Sequence, residues 1–134
     1  MIFTKNMSVK SNVLLIIEDD SNLRESYKKI LENVGYICMT ASDGYQGLDM
    51  LSKNLGTVDL VLLDLIMPGI DGLEVLKAVK ENPEKYGTIP IVVLTSIVSG
   101  TIVKEAFLHG AISYLVKIDI DEKSLIKEVN KILG

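Results

Sequence analysis

The chain has 134 residues, enough for one compact domain with one core. Its 48% hydrophobic and 24% charged residues suit a soluble globular protein, and a formal net charge of −4 argues against nucleic acid as a direct ligand. Cys38 is the single cysteine, which excludes an intrachain disulfide and a cysteine-based metal site and fits a reducing, cytoplasmic setting.

Residues 1–11 are polar and aperiodic and read as a disordered N-terminal extension, with Met7 as an alternative start. They lack the apolar core of a signal peptide, and no run elsewhere has the length of a membrane span, so no membrane insertion is expected. Residues 12–134 are expected to form the domain. Val13 to Ile17 is an unbroken apolar run of strand length, followed at once by Glu18-Asp19-Asp20. Asp20 or Ser21 can cap the next helix, whose stripe is Leu23, Tyr27, Ile30, Leu31 and Val34. Gly35 stops it. Tyr36 to Ala41 reads as a second strand, and Asp43 with Gln46 opens a helix carrying Leu48, Leu51 and Leu55.

The third strand lies within Val58 to Asp64, again without alternation, as expected of a strand covered on both faces. It ends in a carboxylate, Asp64. Pro68 and Gly69 then turn the chain, and Asp71 with Glu74 caps a helix with Leu73, Leu76 and Val79 inward. Asn82 to Thr88 reads as a loop. Pro90 to Leu94 is a fourth strand ending in Thr95-Ser96, and Ser99 and Gly100 start a helix with Ile102, Val103, Ala106 and Phe107 on its apolar side. Ser113 to Val116 is a fifth strand ending in Lys117. Asp119 with Glu122 is expected to cap a last helix striped by Leu125, Ile126, Val129, Ile132 and Leu133.

Five strands alternating with five helices predict parallel crossovers and a three-layer, doubly wound α/β sandwich. All strand C-termini then share one edge, the usual ligand edge of such sheets. Glu18, Asp19, Asp64, Thr95 and Lys117 converge there. Two unit charges about 4 Å apart repel by roughly 4 kcal/mol at an effective dielectric of about 20, so the acids need a proton or a cation. Oxygen ligands without His or Cys favour Mg²⁺ or Mn²⁺ over zinc. Lys117 offers a mobile positive charge and Thr95 a hydroxyl donor. Together they suit phosphoryl transfer onto a carboxylate.

These residues resemble the receiver domain of two-component response regulators, from about Val13 to the C-terminus. The resemblance rests on Leu14-Leu15-Ile16-Ile17-Glu18-Asp19-Asp20, Asp64-Leu65-Ile66-Met67-Pro68-Gly69-Ile70-Asp71-Gly72, Val93-Leu94-Thr95-Ser96 and Tyr114-Leu115-Val116-Lys117. It implies a flavodoxin-like strand order 2-1-3-4-5. It implies that Asp64 is the phosphoacceptor, served by a sensor histidine kinase or a histidine phosphotransfer protein. Asp19, Asp64 and the backbone carbonyl of Ile66 would bind Mg²⁺, with Glu18 helping through water. Thr95 and Lys117 would meet the phosphoryl group, and Tyr114 would be the switching aromatic. A downstream target protein would read the face formed by the fourth helix, fifth strand and fifth helix. The expected state is a monomer or a phosphorylation-dependent dimer, acting as a stand-alone receiver that catalyses only its own phosphorylation and dephosphorylation.

Two features depart from the family pattern. Ile118 follows the lysine where proline, often cis, is usual, and a trans bond is expected. The segment Ile118 to Asp121 also looks about one residue longer than the proline-containing form. Ile66 and Ile97, two residues past Asp64 and Thr95, are expected to hinder an attacking water and lengthen the life of a phosphoryl group. Rival readings are an aspartate-based phosphate hydrolase, a nucleotide- or flavin-binding module, and a pseudo-receiver that only binds partners. The hydrolase usually needs a second acid where Ile66 stands. The nucleotide reading lacks a glycine-rich loop after the first strand.

Overall fold

The unbroken apolar runs become strands buried along their whole length: β1 (Val13–Ile17), β3 (Leu60–Asp64) and β4 (Ile91–Thr95). Strands with no polar face must be covered on both sides, and here they sit at the centre of the sheet. The edges are β2 (Ile37–Ala41) and β5 (Ser113–Val116), and all pairings are parallel in the order β2-β1-β3-β4-β5. This computed structural model describes residues 11–97 and 99–134, so the expected extension falls outside the described residues except for exposed Ser11.

Five helices cross between and after the strands: α1 (Ser21–Glu32), α2 (Gly44–Lys53), α3 (Gly72–Glu81), α4 (Gly100–Leu108) and α5 (Glu122–Leu133). The side-chain period of two in each strand sorts the core into two layers. Leu14, Ile16, Leu60, Leu62, Val92 and Leu94 pack under α1 and α5 with Tyr27, Leu31, Leu125 and Val129. Leu15, Ile17, Val61, Leu63, Ile91 and Val93 pack under α2, α3 and α4 with Leu51, Val75, Leu76 and Ala106. Each such fully buried aliphatic side chain contributes about 1.5–3 kcal/mol relative to exposure.

Local chemistry starts and stops the helices. Asp20 caps α1, its carboxylate accepting from the amides of Asn22 and Leu23. Asp43 accepts from the Gln46 amide, while the Gln46 side chain accepts from Ser42 N–H rather than from the cap residue. Asp71 and Glu74 form the full reciprocal box of α3. Gly72 has to be glycine: a Cβ there would lie 2.5 Å from the Asp64 carbonyl oxygen and 2.6 Å from Leu65 Cα.

Several details depart from the sequence expectation. α5 is capped by Asp121 with Ser124, not by Asp119 with Glu122, because Lys117–Asp119 forms a 3₁₀ turn first. One helical turn, Pro83–Tyr86, sits inside the expected loop. Val34 and Phe107 are exposed, and so is Leu55, which lies beyond the end of α2. The peptide bond between Lys117 and Ile118 is trans, as are all others among the described residues. No helix among the described residues is long and apolar enough to cross a membrane.

Candidate functional site

Register brings the expected groups together. Ile17 pairs with Leu63 and Asp64 with Leu94, so Glu18 emerges beside Asp64. Thr95 pairs with Val116, which places Lys117 one residue past the end of the neighbouring strand. Glu18, Asp64 and Thr95 are all buried, at 0%, 1% and 0% exposure, whereas Asp19 is exposed at the mouth. Glu18, Asp64 and Lys117 continue the side-chain rows of the α1–α5 layer, and Thr95 continues the row of the opposite layer.

Lys117 Nζ lies 2.7 Å from Glu18 Oε1 and 3.0 Å from Asp64 Oδ2. Among the described residues this ammonium is the one partner of either oxygen. The other oxygens are held by the backbone: Asp20 N–H donates to Glu18 Oε2 at 3.2 Å and Ile66 N–H to Asp64 Oδ1 at 3.2 Å. One ammonium thus serves two buried carboxyl groups. Burial, and then the neighbouring Glu18, push the Asp64 pKa up to about 7 despite the ammonium. Lys117 loses solvation, but the two carboxyl groups outweigh that loss and hold its pKa above the usual lysine value.

Carboxylate oxygens of Glu18, Asp19 and Asp64 all lie within 4.8 Å of one another. An all-oxygen set with an exposed member at the mouth fits a hard divalent ion that keeps several waters. The excess negative charge supplies the reason for one, since an uncompensated buried carboxylate is costly. These residues could therefore hold Mg²⁺.

Thr95 is held in place by the loop that follows it. Its Oγ1 donates to the Ile97 carbonyl at 3.1 Å and accepts from the Ile97 amide at 3.0 Å. Tyr114 is 38% exposed, its ring edge-on to Phe107 at 6.1 Å between centroids. Ile66 and Ile97 are both exposed. A separate cavity of about 200 Å³, lined in part by Leu76, Val79 and Ile91, lies at the opposite ends of the strands and touches none of these groups.

Sequence reasoning passed over two residues. Arg24 lies outside the apolar stripe of α1, yet its Nη1 donates to the Glu18 carbonyl at 2.8 Å. The signal was its place one turn into a helix that opens beside an acidic strand end. Tyr27 falls in the apolar stripe of α1, a pattern that assigns no role to its hydroxyl.

Fold and side-chain cluster together define a five-stranded parallel α/β module with an acid–lysine site at its carboxyl edge. The response regulator receiver domain profile matches residues 14–130, and the chain belongs to that family, the receiver domains of two-component systems. Sporulation initiation phosphotransferase F of Bacillus subtilis is 34% identical over 110 residues, covering 81% of this chain and 85% of that protein. The DNA-binding transcriptional regulator NtrC of Escherichia coli K12 is 31% identical over 121 residues, covering 90% of this chain, which spans only 25% of NtrC. Among solved structures, chemotaxis protein CheY4 of Vibrio cholerae superposes with a TM-score of 0.83 at 28% identity, covering 92% of this chain and 99% of that one. A putative response regulator from Chloroflexus aurantiacus gives 0.83 at 33% identity, covering 92% and 98%.

Proposed function

We propose that Asp64 accepts a phosphoryl group from a phosphohistidine on a kinase or phosphotransfer partner, in a Mg²⁺-dependent reaction. The observation that carries this reading is the Lys117 ammonium bridging Glu18 and Asp64 beside Asp19. Asp19, Asp64 and the Ile66 backbone carbonyl would hold the metal, with Glu18 acting through water. Bound there, the metal would offset the charge of the phosphoryl oxygens.

In the transfer, an Asp64 oxygen forms a bond to phosphorus while the phosphorus–nitrogen bond of the donor breaks, and the imidazole leaves with the electron pair. Lys117 turns from the carboxyl pair to a phosphoryl oxygen. Thr95 exchanges the Ile97 carbonyl for another. Both contacts exist only in the phosphorylated state, so they shift the equilibrium between two packings of the loop after β4, α4 and β5. Tyr114 follows Thr95 inward, and a target protein reads the altered α4–β5–α5 face. The match to a sporulation phosphotransferase along most of both chains supports a place in a phosphorelay.

The test is incubation with acetyl phosphate or phosphoramidate and Mg²⁺, followed by intact-mass measurement. One phosphate adduct is expected in the wild type and none in Asp64→Asn. Continuous phosphate release from varied esters would point to a hydrolase instead, and absence of any adduct, even with a kinase, to a partner-binding module.

A further inference from the structure

Among the described residues, the α1–α5 layer holds a buried donor without a partner, in the layer whose strand rows end in buried acceptors that depend on one. Tyr27, in the middle of α1, is 3% exposed, and its hydroxyl finds no partner among the described residues. An unpaired buried hydroxyl is a cost that packing alone does not explain, since phenylalanine would fill the same space. Long helical side chains lean toward the helix N-terminus. The N-terminus of α1 lies at the acidic edge, directly after Glu18-Asp19-Asp20, so that lean directs a side chain at position 27 toward that edge. The rows beneath it, Leu14-Ile16 and Leu60-Leu62, end in Glu18 and Asp64 on the same face.

Electrostatics agree with this placement. Burial first, and then the charge of Glu18, push the Tyr27 phenol up to about 12, with Lys117, Asp64 and Asp20 also felt. The group is therefore a proton donor throughout the physiological range. Glu18 Oε1, meanwhile, has Lys117 as its sole partner among the described residues.

We infer that Tyr27 is a positioning residue for phosphoryl transfer: its hydroxyl donates to the Glu18 carboxylate when Lys117 leaves for the phosphoryl group. The hydroxyl would take the place of the ammonium on the carboxylate, so that the acid stays fixed at the moment its cation departs. This inference rests on the phosphoacceptor reading above.

The test compares the wild-type chain with Tyr27→Phe, which keeps the ring and removes only the hydroxyl. Beryllofluoride with Mg²⁺ serves as the phosphoryl mimic, titrated by calorimetry, and urea unfolding of the metal-free proteins reports stability. Tyr27→Phe is expected to bind beryllofluoride about tenfold more weakly, the worth of one hydrogen bond to a charged group. Its unfolding midpoint and its affinity for Mg²⁺ alone should hold or rise, because in the resting state the hydroxyl is unpaired. In a Glu18→Ala background the same substitution should have no effect on beryllofluoride binding. Equal affinities in wild type and Tyr27→Phe would overturn the inference, as would a loss that persists without Glu18 or one that merely parallels lost stability. A wild type that takes up no beryllofluoride would instead sink the phosphoacceptor reading, and this inference with it.

Discussion

Asp64 is asked to be two things, a buried group and an anion, and its environment resists the second. Its proton is held more tightly in the folded chain than in the unfolded one, with a folded pKa of about 7. Such a group contributes stability that is full below its unfolded pKa and is lost as pH rises through the folded one. In metal-free protein, wild type should therefore lose stability relative to Asp64→Asn as pH rises from about 4 to about 8. Urea unfolding in the presence of a chelator, across that range, checks it. Parallel curves for the two proteins would mean that the ammonium already satisfies the carboxylate. At this scale the sequence was informative about identity but not about state. It placed Glu18, Asp64, Thr95 and Lys117 on one edge, yet nothing in it revealed that Thr95 is held by the Ile97 backbone. That contact belongs to the path of a loop, which no residue pattern encodes.

Among the elements, the turn from β3 into α3 does most to aim the acceptor. Gly72 N–H donates to the Leu65 carbonyl at 2.9 Å, and the helix start is pressed against the backbone that carries Asp64. Because the two nearest atoms a Cβ would meet are backbone, they cannot step aside as a flexible side chain would. Gly72→Ala should cost roughly 1–3 kcal/mol, the usual price of overpacking, and should also slow adduct formation by displacing Asp64. Urea midpoints together with phosphorylation rates measure both; a destabilised variant with unchanged rates would separate the turn from the site. The elements also show where sequence patterns mislead. The box pattern, an acid or amide three residues after the cap, selects Asp119 with Glu122, whereas the reciprocal pair that forms is Asp121 with Ser124, whose hydroxyl lies outside that pattern. The 3₁₀ turn takes up Asp119 and leaves Asp121 to cap α5. The strands β1, β3 and β4 were legible because continuous burial demands continuous apolar sequence. Val34 and Phe107 were not, because a helical stripe does not state how far its neighbours extend.

Across the whole molecule, the site draws on both sides of the sheet. Glu18, Asp64 and Lys117 belong to the layer under α1 and α5, and Thr95 to the layer under α2, α3 and α4. A phosphoryl group touching both Lys117 and Thr95 would tie the two layers together at one end. Binding of beryllofluoride with Mg²⁺ should thus change amide hydrogen exchange in the loop after β4, in α4 and in β5, while the core of β1 and β3 stays as protected as before. Uniform protection across the chain would instead indicate simple ligand stabilisation.

The alternating rows also make strand length part of the chemistry. Lys117 reaches the acids because, one residue past β5, it keeps the parity of Leu115. Deleting one residue between Ser113 and Lys117 would carry the ammonium to the far side of the sheet and strand both carboxyl groups. A residue added after the lysine would leave that parity untouched. Insertions beyond this point would therefore keep the ammonium on the acids' side of the sheet, whereas before it they would do so only in steps of two.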